Sequence, residues 1–272
     1  MKTRRGRPAR KALSQHFLID PNLQRKIVEA LDPLPGDRVL EIGPGTGALT
    51  RHLVGRVGHL TLIELDEALA AELRREYEGR EEVEVIQGDA LEIPVSELAR
   101  GAALKVIGNI PYAITTPLIF HLLDGRPRPQ LIVLTVQREV ADRLIARPGS
   151  KDYGALTAGV QAVARVQALF PISRQAFRPR PEVNSMVVNI VPQTPPPLSQ
   201  ELEQAFRQLT RAAFSRRRKQ MQKVLRQAPE YGLSGKEAEA LLASLGIDPS
   251  TRPDALPVVD YIRLAAALAA RA

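Results

Sequence analysis

The sequence predicts an α/β protein: a mostly parallel sheet with antiparallel strands at its C-terminal end, followed by a small all-helical domain. Three observations carry this. Short apolar strand patterns alternate with helical periods from about residue 21 to residue 150, the order that places helices on the faces of a parallel sheet. Two further strands, "ARVQALFPIS" and "SMVVNIVP", then follow closely enough to be antiparallel neighbours. Finally "VPQTPPPLSQ", residues 191–200, reads as a stiff linker through Pro192, Pro195, Pro196 and Pro197, and only helical periods lie beyond it.

Taken in order, "NLQRKIVEALDPL" is helical by period and "DRVLEIGPG" is a buried strand entering a Gly-rich turn. "GALTRHLVGRV" resumes the helical period, "HLTLIELD" is the second strand, and "EALAAELRREYEG" is a run of strong helix formers ended by Gly79. "EVEVIQGDA" and "ALKVIGNIP" are strands three and four. A helix over "TPLIFHLLDG" opens at Thr116 and Pro117 and closes at Gly125. "QLIVLTVQ" is strand five and runs into a helix at "REVADRLIARPG". The expected division is a basic, flexible arm over 1–12, an α/β domain over 13–192 and a helical basic domain over 193–272.

Composition narrows the function classes. With 272 residues, 44 % hydrophobic and 25 % charged, the chain fits an ordinary soluble protein with one full-sized domain and a smaller one. No apolar run approaches the ~18 residues of a membrane span, and the basic start "MKTRRGRPARKALSQHFLID" lacks the apolar segment of a secretory signal, so a cytoplasmic protein is expected. Zero cysteines exclude disulfides, thiolate metal sites and a cysteine nucleophile. His16, His52, His59 and His121 have no metal-ligand spacing, so no metal is expected. Arginine outnumbers lysine 30 to 8 and proline reaches 22, a bias shared by thermophiles and GC-rich genomes.

The net charge of +8 is unevenly placed. Residues 1–11 carry Lys2, Arg4, Arg5, Arg7, Arg10 and Lys11 with no acid. Residues 206–228, expected as one basic helix, carry Arg207, Arg211, Arg216, Arg217, Arg218, Lys219, Lys223 and Arg226, again with no acid. The rest of the chain is net acidic. Concentrated basicity of this kind is the footprint of a polyanionic partner, since a plain solvated surface intersperses acids.

"LEIGPGTGAL" places Gly43, Gly45 and Gly47 at the first strand-to-helix turn, where glycine permits a tight turn and close approach to a ligand. Gly43, Gly45 and Ala48 also satisfy a loose dinucleotide fingerprint, with Glu64 at the distance that holds a ribose. The succession says more than the turn. Glu64 ends the second strand, where a carboxylate can accept from both ribose hydroxyls. Asp89 ends the third, where it can accept from an adenine amine. Either acid alone reads as a solvated turn residue; together they line the crevice where open α/β sheets bind ligands. The series resembles the S-adenosyl-L-methionine-binding face of Rossmann-like methyltransferases.

After the fourth strand stands "NIPY", residues 109–112. An exocyclic adenine amine is a poor nucleophile because its lone pair is delocalised into the ring. Two acceptors on its two hydrogens draw the nitrogen toward tetrahedral geometry. Asn109 can supply a side-chain oxygen and Ile110 a carbonyl, Pro111 aims that carbonyl, and Tyr112 offers a ring on which an unstacked base can lie. In isolation these four residues would read as a turn with a capping Asn.

The tetrad resembles that of adenine amino-methyltransferases. With "SQHFLID", "EIGPGTGALT", "LIELD", "GDAL", "GNIPYAITTPLIF", "VQREVADRL", "GSKDYG", "AFRPRPEVNS" and "FSRRRKQMQKVL", the chain from about Leu13 to Leu268 resembles the ribosomal RNA adenine dimethyltransferase family, in its bacterial small-subunit branch. The resemblance implies a monomer that makes N6,N6-dimethyladenosine at two adjacent adenosines near the 3′ end of 16S rRNA, during biogenesis of the small subunit. It implies cofactor contacts from Gln15, His16, Leu18, Gly43, Gly45, Gly47, Glu64, Asp89, Ala90 and Asn109, with His16 standing where Asn is more frequent. Glu41 braces the turn. Phe177 corresponds to an aromatic that flanks the target base opposite Tyr112, its other reading being a buried anchor. The eight basic residues of 206–228 face the rRNA.

Two rivals share many of these residues. The large-subunit branch that confers antibiotic resistance has the same cofactor motifs, but "GIDPSTRPDALPVVDYIRLAAAL" resembles the small-subunit branch. A ribosome assembly factor with little catalysis would keep the fold, yet Glu64, Asp89 and Asn109 are all intact.

Overall fold

The computed structural model describes residues 15–271, so the basic arm expected over 1–12 lies outside the described residues. The described residues separate into two compact units, 15–141 with 167–192 and 142–166 with 193–271.

The first unit holds β1 (Phe17–Leu18), α1 (Pro21–Leu31), β2 (Arg38–Ile42), α2 (Thr50–Leu53), β3 (His59–Glu64), α3 (Glu67–Glu76), β4 (Val83–Gln87), α4 (Val95–Ala99), β5 (Leu104–Gly108), α5 (Thr115–Asp124) and β6 (Leu131–Gln137). From it α6 (Arg138–Leu144) leads into the second unit, which holds α7 (Ala155–Gln161). The strand β7 (Ala164–Ile172) leads back, followed by β8 (Phe177–Arg178) and β9 (Ser185–Pro192).

Seven strands form one sheet in the order β4-β3-β2-β5-β6-β9-β7. The run β4-β3-β2-β5-β6 is parallel and β9 pairs antiparallel to β6. β2 sits between β3 and β5, with Ile42 opposite Ile63 on one side and Gly108 on the other. The connection therefore reverses direction at β2, and the crevice beyond the strand ends opens there. The central strands are apolar because both faces are covered: Val39, Leu60, Leu62, Ile107 and Val133 share a core with Ile27, Val28 and Leu31 of α1. Asp20 caps α1 by accepting from Asn22 N and Leu23 N, with Pro21 in its first turn. Asp66 caps α3 in the same manner.

Local departures from the sequence reading have visible causes. The helix expected over "GALTRHLVGRV" spans only 4 residues, because the glycines of the preceding turn hold left-handed backbone up to Gly47 (φ 73°). A 3-10 turn at Tyr112–Ile114 precedes α5, which begins at Thr115. A separate two-stranded sheet, β1 with β8, pairs Phe17 with Arg178 and Leu18 with Phe177; no alternating pattern announces strands of two residues.

The second unit adds α8 (Gln200–Ser215), α9 (Met221–Gln227), α10 (Gly235–Ser244) and α11 (Val258–Ala269). Ser199 caps α8, and Ser234 with Glu237 forms a capping box on α10. Residues 142–166 belong to this unit rather than to the α/β domain expected over 13–192. Tyr153, fully buried, meets the Phe214 ring edge-on at 6.0 Å and donates to the Leu256 carbonyl at 2.9 Å. Gly149 N donates to Asp254 O at 2.6 Å. Burial of one tyrosine with a satisfied hydroxyl is a strong anchor for a short segment.

The single basic helix expected over 206–228 is also two helices. α8 ends at Ser215 and Gln220 is extended (φ −70°, ψ 149°). The N–H groups that open α9 are taken by other chain segments, Met221 N by Thr251 O at 2.8 Å and Gln222 N by Pro249 O at 3.2 Å, which satisfies donors a helix start leaves open.

Candidate active site

The C-terminal ends of β2, β3, β4 and β5 surround a cavity of about 210 Å³. Its walls include Gln15, His16, Leu18, Gly43, Gly45, Glu64, Asp89, Ala90 and Asn109, so nine residues expected to touch a cofactor come together from five separate segments. Gly47 does not line it. That glycine has left-handed backbone and lies against Leu73 and the Tyr77 hydroxyl, each 3.5 Å from where a Cβ would stand; it shapes the turn from behind.

Gly45 shows why the turn lacks side chains. Its φ is +59°, and a Cβ there would stand 3.0 Å from the Phe17 ring. Phe17 therefore covers the glycine turn and lines the cavity, a role that only its place inside "SQHFLID" hinted at. Gly108 is tight for a different reason: a Cβ would meet the Ile42 carbonyl at 2.8 Å, so only glycine lets the end of β5 lie this close to β2 before Asn109.

Glu64 is 3 % exposed. Its Oε2 accepts from Gly45 N at 2.9 Å and its Oε1 from Asp66 N at 2.9 Å. Burial holds its pKa above the ordinary carboxylate value against these bonds. The carboxylate is thereby locked in place at the wall of the cavity. Asp89 accepts from Leu91 N through Oδ1 at 2.9 Å, which leaves Oδ2 as its second acceptor. Glu41 is buried and accepts from Thr50 Oγ1 at 2.7 Å; burial pushes its pKa up to about 7. The bond to Thr50, the first residue of α2, makes it a brace between strand end and helix.

Asn109 follows β5. Its Nδ2 donates to the His16 carbonyl at 3.0 Å. A carbonyl accepts only, so this bond fixes the amide orientation and leaves Oδ1 as the remaining acceptor. Ile110 is buried and Pro111 lines the cavity. Tyr112 is half-buried, and its hydroxyl is 2.7 Å from Ser185 Oγ. Burial raises the Tyr112 pKa, so it stays neutral.

Phe177, expected to flank the target base, does not line the cavity. It is fully buried with Leu18, Ile172 and Val187, because pairing of β8 with β1 sets Phe177 beside Leu18 and turns both toward the core. Its reading as a buried anchor is the one the structure supports.

Among the described residues, no group of three His, Cys, Asp or Glu is placed to hold a metal ion, and no helix is long and apolar enough to cross a membrane. In the second unit, Arg207, Arg211 and Arg216 line one groove with Gln204, Gln208, Ser215 and Glu230. The other basic residues differ. Arg217 donates to the Ser150 carbonyl at 3.1 Å and lies 3.4 Å from Asp254 Oδ2, so it ties segments together within the unit. Arg218, Lys219, Lys223 and Arg226 do not line that groove.

A parallel sheet with a glycine turn after β2, acids ending β3 and following β4, and an Asn with an open acceptor after β5 defines an S-adenosylmethionine-dependent methyltransferase acting on an amine. The donor set fits the cofactor: the backbone of the turn lies open to a ligand, and the acceptors at Glu64 and Asp89 match a ribose and an adenine amine. The chain belongs to the ribosomal RNA adenine dimethylase family, whose model matches residues 6–270.

It is 41 % identical over 263 residues to ribosomal RNA small subunit methyltransferase A of Aromatoleum aromaticum, covering 97 % of this chain and 95 % of that protein. The protein of the same description from Moorella thermoacetica is 40 % identical, covering 97 % and 94 %. Among solved structures, a dimethyladenosine transferase from Plasmodium falciparum superposes with a TM-score of 0.81 at 28 % identity, covering 92 % of this chain and 96 % of that one. The 23S rRNA methyltransferase ErmE gives 0.70 at 25 % identity, covering 93 % and 99 %.

Proposed function

We propose that this enzyme dimethylates the N6 amines of two adjacent adenosines near the 3′ end of small-subunit rRNA, acting in the cytoplasm, as a monomer, on the immature small subunit. The observation that carries the reading is the orientation of Asn109, whose amide nitrogen is spent on His16 and whose oxygen is left to accept from an amine. Preference for the small subunit rests on the relatives described as small subunit methyltransferases at 41 % and 40 % identity, against 25 % for the large-subunit enzyme.

Bound S-adenosylmethionine supplies a methyl group activated by its sulfonium. Glu64 and Asp89 hold the ribose and adenine ends, and the Gly43–Gly45 backbone lets the ligand approach the sheet. Asn109 Oδ1 and the Ile110 carbonyl accept from the two amine hydrogens, which concentrates the lone pair on nitrogen. Tyr112 stacks on the extruded base. No residue here need act as a base, because the methylated ammonium cation is acidic enough to give its proton to water. The catalysis is alignment and polarisation. Arg207, Arg211 and Arg216 hold rRNA phosphates, with Arg218, Lys219, Lys223 and Arg226 beside them.

The test is transfer of tritiated methyl to unmethylated small subunits, with large subunits and the Asn109→Ala variant in parallel. Label should appear as N6,N6-dimethyladenosine in small subunits and fall about 10²- to 10³-fold in the variant. Label in large subunits instead, or an active variant, overturns the reading.

A further inference from the structure

Ser185 opens β9, and its Cα lies opposite that of Gln137, the last residue of β6. Since β6 runs parallel to β5, Ser185 stands at the C-terminal end of the parallel strands, the end that Asn109 follows. The residue is fully buried, and its Oγ lies 2.7 Å from the Tyr112 hydroxyl. Tyr112 begins the 3-10 turn after β5, so its side chain reaches a strand two places away in the sheet order. The residue before Ser185 is pinned twice: the Asn184 carbonyl accepts from Arg138 N at 3.1 Å, and Asn184 Oδ1 accepts from Arg174 N at 3.1 Å.

Nothing in β9 itself calls for a hydroxyl at this position. Val187, Val188 and Ile190 of the same strand are fully buried and apolar, and a hydroxyl taken out of water is costly unless it is bonded. Alanine would fill the strand as well. Among the described residues, the partner that satisfies the Ser185 hydroxyl is Tyr112, 73 residues away. The same bond serves the tyrosine. Its backbone fixes one end of the half-buried side chain and Ser185 fixes the other.

We propose that Ser185 is a positioning residue for methyl transfer: its hydroxyl tethers Tyr112 and so sets the attitude of the ring that receives the target adenine. The inference rests on the base-stacking role proposed for Tyr112. The Asn109 oxygen and the Ile110 carbonyl polarise the amine only when its hydrogens lie in line with both, and a ring that tips moves the whole base. Ser185 does not line the cavity. Its effect passes through one hydrogen bond, so it vanishes when the Tyr112 hydroxyl is already gone.

The experiment is a double-mutant cycle of Ser185→Ala, Tyr112→Phe and the pair, in steady-state methyl transfer to whichever ribosomal subunit the parent methylates. S-adenosylhomocysteine affinity is measured alongside by calorimetry. Tyr112→Phe keeps the ring and leaves β9 untouched, so it reports the bond even if Ser185→Ala loosens the strand. Each single variant should lower kcat about tenfold, with KM for the subunit and S-adenosylhomocysteine affinity within about twofold of the parent. The double variant should be slower than either single variant by no more than about twofold. A kcat near the parent value in both single variants, a loss confined to one of them, or losses that multiply in the double variant overturns the proposal. Methylation of neither subunit by the parent defeats the functional reading alone. The tether is then read from the flip rate of an isotope-labelled Tyr112 ring by nuclear magnetic resonance. Faster flipping in Ser185→Ala than in the parent supports it, and equal rates overturn it.

Discussion

Glu64 at the strand end and Arg217 in the helical unit are both charged side chains singled out for binding, yet the fold treats them oppositely. Glu64 is locked by two backbone N–H groups from adjoining turns and still faces a cavity. Arg217 turns its Nε and Nη2 toward Asp254 and Ser150 of its own unit. The contrast teaches that a carboxylate at a strand terminus is placed by local topology, because the sheet's own geometry points it at the crevice. A cation on a helical turn is placed by whatever neighbours the tertiary fold brings near, and the residues 206–228 contain no acid to warn of it. Arg207, likewise, lies 3.8 Å from Glu203 one helical turn away.

The largest effect that would sharpen this contrast is expected at the locked carboxylate. Glu64→Ala removes the proposed ribose acceptor and leaves the Gly45 and Asp66 N–H groups without the carboxylate that accepts from them. S-adenosylhomocysteine affinity measured by calorimetry should fall about a hundredfold, in line with ~1.5–3 kcal/mol for a bond to a charged group. A loss below threefold would mean that the carboxylate only supports the turn.

Next comes the division among the arginines. Arg211→Glu should weaken rRNA binding severalfold and flatten the slope of log affinity against log salt by about 1, with little change in Tm. Arg217→Ala should do the reverse, lowering Tm by a few degrees for about 1 kcal/mol of lost hydrogen bonding while leaving the salt slope nearly intact. Equal salt slopes for both variants would erase the distinction.

The smallest effect concerns Glu41, whose pKa rises from 4.5 to about 7 on burial. The folded state binds this proton more tightly than the unfolded chain, so the associated stability is fully present below about pH 4.5 and is lost as pH rises through about 7. Glu41→Gln keeps an acceptor for Thr50 and removes the titration. Relative to the parent it should gain stability between pH 5 and pH 8, by at most about 3 kcal/mol, read as the difference in denaturation midpoints. A pH-independent difference would show that Glu41 does not titrate in this range.

The site was legible where chemistry follows strand order. "EIGPGTG", the acid of "LIELD", the acid of "GDAL" and the Asn of "NIPY" each sit at one strand end, and parallel strands present their C-terminal ends to one crevice. Phe17 over Gly45 was not legible in the same way, because that contact bridges two segments joined by no periodic signal. Phe177 was open to two readings in the sequence; pairing with β1 sets it beside Leu18, where it is buried.

By itself, the sequence determined the alternation of strands and helices, the glycine turn, the order of acceptors around the cavity and the change to helices after Pro192. These depend on propensity, period and short turns, all local quantities. Only the tertiary structure decided that residues 142–166 join the helical unit, that the basic stretch breaks between Ser215 and Met221, and that His16 meets Tyr112. Each of those rests on partners far away along the chain, such as Tyr153 with Leu256, Met221 with Thr251 and His16 with Pro179. Burial and hydrogen-bond satisfaction select such partners in three dimensions, and no local pattern encodes them.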